Sequence, residues 1–87
     1  MSSSRKVTVY GDTTCPYCGA ARILLTKKSV DFEYIVITDD PLRRKEMQER
    51  SGRTSVPQIF IGDTLVGGFD ELCALDKSGE LEELLSG

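Results

Sequence analysis

Along this chain, apolar residues switch between the two-residue period of a strand and the longer period of a helix. The β-branched and aromatic run at residues 7–10 predicts a first strand. Residues 16–28 follow a helical pattern in which Leu24 and Leu25 lie near one apolar face. Residues 32–37 predict a second strand. A strand, a helix and a strand in this order predict a right-handed parallel βαβ unit.

A second helix is expected to begin at Pro41, with Asp40 as its N-cap, and Gly52 is placed to end it. Leu42 and Met47 are the only large apolar residues of this helix, so its predicted buried stripe is thin. We therefore expect the second helix to be the least anchored element of the fold.

The next residues predict a β-hairpin. A third strand covers residues 55–61 and contains Pro57 near its start, a position that strands tolerate. The Gly62-Asp63 turn reverses the chain, and residues 64–66 form the return strand.

A glycine pair ends the hairpin, and two short helical patterns follow it at residues 69–76 and 81–85. The summed order, βαβαββα with a short terminal helix, predicts an α/β fold in which helices cover both faces of one sheet. No internal repeat or linker interrupts it. Residues 1–87 are therefore expected to form a single domain, with residues 1–5 as a flexible polar tail.

Composition and charge narrow the possible partners. The 87 residues suffice for one small domain, which buries roughly 60–65% of its unfolded surface. The net charge of −3 argues against nucleic acid as a partner. No apolar run approaches the ~20 residues that span a bilayer. The first residues do not resemble a secretory signal, and the cysteine count is odd, so we expect a cytoplasmic protein in a reducing environment.

Candidate chemistry is concentrated in Cys15-Pro16-Tyr17-Cys18, between the first strand and the first helix. Pro16 suits the first helical position, because its missing N–H would be unpaired there in any case. The sulfur of Cys15 would then lie at the positive end of the helix dipole, which favours the nucleophilic thiolate. Cys18 lies one turn further along. This arrangement predicts thiol–disulfide exchange in which Cys15 attacks and Cys18 resolves the adduct.

Two other interpretations of the cysteines are less favoured. A structural zinc site needs four ligands, whereas this chain has no histidine and only one further cysteine, Cys73. Cys15 and Cys18 could instead be buried and inert, but their position between a strand and a helix favours redox chemistry. Cys73 has the position of a small buried apolar residue on the third helix, with an accessible regulatory thiol as the alternative.

The sign of the charged residues differs on the two sides of Pro57. Basic residues cluster before it, at Arg43, Arg44, Lys45, Arg50 and Arg53. Acidic residues dominate after it, at Asp63, Asp70, Glu71, Asp76, Glu80, Glu82 and Glu83. Most of these side chains belong to solvated helix faces. Two opposed clusters of charge also suit a small zwitterion bound between them.

Three motifs, in this order and spacing, resemble the small bacterial-type dithiol glutaredoxins of the thioredoxin fold. They are Cys15-Pro16-Tyr17-Cys18, then Val56-Pro57 at the head of the hairpin, then Gly67-Gly68 before an acidic helix start. The resemblance covers nearly the whole chain. It implies a four-stranded mixed sheet, with a cis peptide bond before Pro57 that brings this residue beside Cys15. It also implies a glutathione-disulfide oxidoreductase that reduces protein disulfides and glutathione mixed disulfides without a tightly bound cofactor.

The ligand that the resemblance implies is glutathione, a tripeptide with two carboxylates and one amine. Val56 would pair with its cysteinyl backbone. The glycine pair ending at Gly68 would let the ligand approach the N–H groups of Phe69 and Asp70, which would bind the γ-glutamyl carboxylate. Asp70 and Glu71 would hold the neighbouring ammonium by charge-assisted hydrogen bonds.

The glycyl carboxylate needs a cation, for which Arg44 is the first candidate, ahead of Arg43 and Arg53. Three residues near the cysteines complete the predicted glutathione contacts: Thr13, Tyr17 and Pro57.

The chain departs from the glutaredoxin pattern at three places. Asp12 stands where the family commonly has a lysine, three residues before the first cysteine, and should disfavour the thiolate and bind glutathione less well. Phe69 stands where several close relatives have a cysteine. Asp70-Glu71 replaces a pair of aspartates, which is a small change in reach.

The resemblance implies a monomer whose partners are glutathione and disulfide-containing or glutathionylated proteins. Ribonucleotide reductase and a peroxidase are candidate targets. Two alternatives remain open. One is a thioredoxin-like carrier reduced by a flavoprotein reductase, which Asp12 favours. The other is a non-enzymatic dimer that holds an iron–sulfur cluster between two Cys15 thiolates and two glutathiones; Pro16 argues against it, because cluster-binding relatives more often lack this proline.

Overall fold

The computed structural model describes residues 6–86, which form a four-stranded sheet and four helices. The strands are β1 (Val7–Gly11), β2 (Phe32–Val36), β3 (Gln58–Ile61) and β4 (Thr64–Gly67). The helices are α1 (Pro16–Lys27), α2 (Pro41–Ser51), α3 (Phe69–Ser78) and α4 (Glu80–Ser86). Every predicted element is present, and the predicted tail at residues 1–5 lies outside the described residues.

The sheet is mixed, and its strands lie in the order β2-β1-β3-β4. β1 pairs with β2 in parallel, so that Val9 lies beside Tyr34. β3 runs antiparallel to β1, with Ile59 opposite Val9, and β4 runs antiparallel to β3. The predicted α/β fold, with its parallel βαβ unit and its hairpin, is therefore confirmed.

Each face of the sheet carries its own apolar core, because successive residues of a strand point to opposite faces. The core beneath α1, α3 and α4 contains Val7, Val9, Ala21, Leu25, Ile59, Ile61, Leu72 and Leu81. The core beneath α2 contains Tyr10, Ile37, Met47 and Phe60. Helices thus cover both faces, as predicted. Burial of Ala21 and Leu25 holds α1 against the sheet and so fixes the position of its N-terminus.

The ends of α2 follow the predicted capping chemistry, but its buried face does not follow the predicted stripe. The side chain of Asp40 accepts a hydrogen bond from the N–H of Arg43 at 3.1 Å. Gly52 ends the helix with a φ of 69°, in the left-handed region that favours glycine. The prediction that Leu42 is buried is wrong: this side chain is 80% exposed, and Met47 is the only fully buried residue of the helix.

A buried tyrosine anchors α2 instead. Tyr10 is fully buried, and its hydroxyl donates a hydrogen bond to Glu46 and accepts one from Arg50 at 2.8 Å. The Arg50 guanidinium also lies 4.2 Å from the centre of the Phe60 ring. Burial is the main cause of the raised pKa of Tyr10, so its hydroxyl stays protonated at neutral pH. Apolar periodicity could not reveal this anchor, because the contacts are polar.

The C-terminal helices are fastened to the residue that follows α1. Nζ of Lys28 lies 2.5 Å from Asp76 of α3 and 3.0 Å from Glu82 of α4. Both ion pairs are partly exposed, so each contributes modestly to stability.

Among residues 6–86, no helix combines the length and apolarity that crossing a membrane requires.

Candidate active site

The two cysteines of the Cys-x-x-Cys motif lie at the start of α1 with very different exposure. Cys15 precedes the helix with an extended backbone (φ −81°, ψ 119°), and Pro16 takes the first helical position. Cys15 is half-buried, whereas Cys18 is fully buried beneath the first turn. Both thiols are free, and their side chains are within hydrogen-bonding reach of each other.

Cys18 lies in surroundings that favour its thiol form. Burial is the largest cause of the raised pKa of Cys18, and the neighbouring Cys15 raises it further. The N–H of Asp12 donates to Cys18 Sγ at 3.4 Å, which works in the opposite direction. A buried thiol beside a half-exposed one suits disulfide exchange in two steps, in which the half-exposed thiol reacts first and the buried thiol second.

The peptide bond between Val56 and Pro57 is cis, as the resemblance implied. Pro57 is buried, and the carbonyl oxygen of Val56 lies 3.8 Å from Cys15 Sγ. The main chain at the start of β3 therefore borders the more exposed cysteine.

An open groove of about 300 Å³ extends from Tyr17 at the start of α1 to the start of α3. Its walls are Tyr17, Arg53, Ser55, Val56, Pro57, Gln58, Gly68, Phe69, Asp70 and Glu71. Acidic and basic side chains both line it, which suits a zwitterionic ligand. A larger depression, of about 650 Å³, lies at the opposite end of β1 and contains no cysteine.

At the α3 end of the groove, Glu71 caps its own helix. Its Oε1 accepts a hydrogen bond from the N–H of Gly68 at 2.8 Å, and this bond is the main cause of the lowered pKa of Glu71. Its other carboxylate oxygen lies 3.9 Å from the guanidinium of Arg53. Asp70, the next residue toward the helix start, is exposed and faces the same groove.

Two aromatic side chains form the apolar part of the wall. The rings of Tyr17 and Phe69 lie 6.1 Å apart and are tilted by 34°. Tyr17 is 60% exposed, so much of its ring remains open to a ligand. Phe69 at the start of α3 thus pairs with the tyrosine of the Cys-x-x-Cys motif.

The structure brings together most of the predicted contact residues, but not all of them. Arg44 and Thr13 do not line the groove, whereas Arg53 does. Ser55 and Gln58 also line it and were missed in the sequence, although their position on either side of Val56-Pro57 was a usable signal. The N–H of Thr13 instead donates to the hydroxyl of Thr38, at 3.2 Å. The loop before the cysteines is thereby joined to the loop that leads to α2.

Asp12, three residues before Cys15, organises the loop that leads to the cysteines. Its Oδ1 accepts hydrogen bonds from the Thr14 N–H at 3.1 Å, from the Thr14 hydroxyl at 3.2 Å and from the Thr38 hydroxyl at 2.9 Å. The Thr14 N–H is the largest cause of the lowered pKa of Asp12. The Asp12 carboxylate therefore accepts hydrogen bonds both from its own loop, at Thr14, and from the loop before α2, at Thr38.

Cys73 is half-buried on α3 and not fully buried as the sequence suggested. The adjacent Leu72 takes the position that faces the core, and one further residue turns a helix by about 100° away from that face.

Within residues 6–86, no three cysteine, histidine or acidic side chains are grouped as metal ligands.

The chain is similar to proteins of one family. The glutaredoxin family profile matches residues 7–66. The chain is 49% identical over 79 residues to Glutaredoxin 3 of Escherichia coli strain K12, and the match covers 91% of this chain and 95% of that protein. It is 48% identical over 80 residues to a glutaredoxin of Pseudomonas aeruginosa, and the match covers 92% of this chain and 95% of that protein.

Solved structures give the same result. The solution structure of a glutaredoxin from Brucella melitensis matches with a TM-score of 0.85 at 48% identity. This match covers 97% of the chain and 91% of the other protein.

Proposed function

The chain belongs to the glutaredoxin family and is a glutathione-dependent thiol–disulfide oxidoreductase, and we propose that Cys15 is its nucleophile and Cys18 its resolving thiol. The contrast in burial supports this assignment: Cys15 is half-buried and lies beside Val56 of the groove wall, whereas Cys18 is fully buried next to Cys15. Family membership does not favour the thioredoxin-like or iron–sulfur alternatives.

With a glutathione mixed disulfide, the Cys15 thiolate attacks the glutathione sulfur. A bond forms between Cys15 and glutathione, and the target sulfur leaves as a thiolate that takes up a proton. A second glutathione thiolate then attacks the glutathione sulfur of the adduct, which yields glutathione disulfide and restores Cys15. The net reaction consumes one free glutathione, whose thiolate supplies the electron pair, and the other half of the glutathione disulfide comes from the substrate.

With a protein disulfide, Cys15 forms a mixed disulfide with the target and releases the first target thiol. Cys18 then attacks Cys15 Sγ, which releases the second target thiol and leaves a Cys15–Cys18 disulfide. Two glutathione molecules reduce this disulfide in two further exchanges.

We propose that glutathione lies along the groove with its sulfur at Cys15. The main chain of Val56 pairs with the cysteinyl residue, since it lies beside Cys15 Sγ. The N–H groups of Phe69 and Asp70, at the positive end of α3, bind the γ-glutamyl carboxylate. The Asp70 carboxylate holds the ammonium, and Glu71, whose Oε1 is engaged by its own helix, adds negative charge to the same site.

The glycyl carboxylate is assigned to the α2 side of the cysteines, with Arg44 as its cation. Arg44 is in the first turns of α2, and the hydrogen bond from Thr13 to Thr38 joins the cysteine loop to the loop before that helix. Arg53 lies at the other end of the groove, near Glu71, and is assigned to the γ-glutamyl carboxylate.

We further propose that glutathione is the sole small-molecule partner, without a tightly bound cofactor, and that the protein acts as a monomer in the cytoplasm. Supply of electrons by glutathione requires a compartment that keeps it reduced. Disulfides of metabolic enzymes such as a ribonucleotide reductase or a peroxidase, and glutathionylated proteins, are the proposed targets.

The decisive measurement is steady-state turnover of a glutathionylated peptide, with glutathione and its recycling reductase as the electron source. Cys15→Ser should abolish turnover, whereas Cys18→Ser should keep it, because one thiol suffices for this substrate. Loss of turnover in Cys18→Ser would contradict the proposed roles. Reduction of the wild type by a thioredoxin reductase but not by glutathione would contradict the proposed electron source.

A further inference from the structure

A tyrosine with no role in the mechanism above lies near the buried cysteine. Tyr34 of β2 donates a hydrogen bond from its hydroxyl to the carbonyl oxygen of Asp12, at 3.0 Å. The N–H of Asp12 donates in turn to Cys18 Sγ, at 3.4 Å. One loop residue is therefore held by Tyr34 at its carbonyl group and contacts Cys18 through its amide group.

Gly11 and Arg22 lie on two sides of the Tyr34 side chain. A Cβ at Gly11 would overlap the Tyr34 hydroxyl oxygen and lie 2.7 Å from the ring carbon that bears it. Any larger residue at position 11 would therefore displace the tyrosine. From α1, the Arg22 guanidinium lies over the ring, 4.5 Å from its centre.

The electrostatics of this site connect Tyr34 directly to Cys18. Burial is the main cause that raises the pKa of Tyr34 to about 12, and the charge of the nearby Cys18 raises it further. The Tyr34 hydroxyl is therefore a proton donor throughout the neutral range. The nearby Tyr34 in turn acts to lower the pKa of Cys18, against the stronger effect of burial.

We propose that Tyr34 is a positioning residue for the resolving thiol: it fixes the Asp12 amide against Cys18 Sγ and helps to stabilise negative charge on that sulfur. This inference rests on the proposed role of Cys18. The Asp12 N–H supplies a hydrogen-bond donor to a sulfur that is otherwise enclosed, and the Tyr34 O–H holds the same residue by its carbonyl group.

The charge develops when glutathione reduces the Cys15–Cys18 disulfide. A glutathione thiolate bonds to Cys15 Sγ, the bond between the two cysteines breaks, and its electron pair stays on Cys18, which then takes up a proton from water. An unsolvated thiolate is costly in a buried site, and the hydrogen bond from the Asp12 N–H, which Tyr34 keeps in place, lowers that cost. The reverse step, in which Cys18 attacks an adduct on Cys15, starts from the same negative charge on Cys18. Turnover of a glutathionylated peptide by Cys15 alone places no charge on Cys18.

Tyr34→Phe removes the hydroxyl and keeps the ring, so it tests the proposal directly. In the oxidised protein, the single-turnover rate of disulfide reduction by glutathione should fall up to about tenfold, because the Asp12 N–H is no longer held in place for its hydrogen bond to the charged sulfur. Thiols released over time are counted by alkylation and mass spectrometry. Steady-state turnover of the glutathionylated peptide should stay within about twofold of the wild type.

The matched control is Tyr10→Phe, which removes a buried tyrosine hydroxyl from the opposite face of the sheet. It should leave both rates within about twofold of the wild type. A second variant, Gly11→Ala, keeps the hydroxyl but forces it away from Asp12, and should give the same split between the two assays as Tyr34→Phe. It tests the proposal should Tyr34→Phe fail to fold.

Equal loss in both assays, or unchanged disulfide reduction in the folded Tyr34→Phe protein, would overturn the role of Tyr34. Failure of the proposed function gives a different result. In that case the wild type itself would not turn over the glutathionylated peptide, or Cys18→Ser would abolish this turnover.

Discussion

Cys15 Sγ lies 3.8 Å from the carbonyl oxygen of Val56, although the two residues are 41 positions apart in the chain. The contact exists because β1, which leads to Cys15, and β3, which follows Val56, are neighbours in the sheet. It places the candidate nucleophile beside main chain that can pair with an extended peptide. Attack on a peptide-borne disulfide and recognition of the peptide backbone therefore take place at one site.

Alkylation of the reduced native protein should label Cys15 first and Cys18 last. Cys18 is fully buried, and its raised pKa leaves less of it as the reactive thiolate at neutral pH. Half-buried Cys73 should fall between them. Timed reaction with iodoacetamide and peptide mass spectrometry measure the order, with the denatured protein as the control in which differences in accessibility vanish. Early labelling of Cys18 would contradict the structure.

Asp70→Asn should raise the KM for glutathione about three- to tenfold, since it weakens a charge-assisted hydrogen bond at an exposed site. The thermal midpoint of unfolding should change little, because Asp70 is exposed. Asp63→Asn removes an exposed carboxylate from the turn between β3 and β4 and is the matched control. An equal change in KM for both variants would show that net charge alone is responsible.

Glu71→Ala should lower the free energy of unfolding by about 0.5–1 kcal/mol, the usual effect of losing a helix cap. The Gly68 N–H loses its 2.8 Å partner in this variant. Glu71→Gln keeps an acceptor oxygen and should lose less. Urea unfolding at neutral pH measures both differences, and identical stabilities of the two variants would argue against the cap.

Asp12 should stabilise the protein at neutral pH and lose this effect in acid. Its pKa is lowered from the ordinary value of 3.8, chiefly by the Thr14 N–H. A lowered pKa means that the contribution is fully present above 3.8 and disappears as the pH falls through the folded-state value. The difference in unfolding free energy between the wild type and Asp12→Asn should therefore shrink from pH 7 toward about pH 2.

Asp39→Asn, which removes an exposed carboxylate from the loop before α2, is the control for Asp12→Asn. A loss of stability that both variants share would reflect net charge and not the hydrogen bonds of Asp12. A difference for Asp12→Asn that grows in acid would have the wrong sign for the observed hydrogen bonds.

Leu25→Ala should lower the free energy of unfolding by about 2–4 kcal/mol, because it leaves a cavity in the core beneath α1. Ile23→Ala is the matched control on the same helix, since Ile23 is 59% exposed. Its effect should be within about 0.5 kcal/mol. Chemical denaturation measures both, and similar losses for the two variants would contradict the assigned faces of α1.

Short-range chemistry was sufficient to predict the secondary structure. Pro16 begins α1, Asp40 caps α2, and Gly52 ends it in the left-handed conformation that only glycine adopts without strain. Each of these signals acts within one turn of chain. The order of elements then left few possible sheet topologies, and the redox interpretation of Cys15 and Cys18 needed only their spacing and context.

Contacts between distant segments could not be predicted in this way. The exposed Leu42 was expected to be buried, because apolar periodicity does not reveal that Tyr10 anchors α2 through Glu46 and Arg50. Arg44 could be ranked above Arg53 only by resemblance, and Arg53 is the arginine that lines the groove.

The amino-acid sequence by itself determined the elements of this protein and the chemistry of its cysteine pair, because helix caps, turns and the Cys-x-x-Cys spacing are local properties of the chain. Only the tertiary structure decided what surrounds that pair. Tyr34 reaches Asp12 across 22 positions, because parallel pairing of β1 with β2 sets Tyr34 beside Val9. Such contacts are fixed by strand order and register, and both of these depend on the packing of the whole sheet.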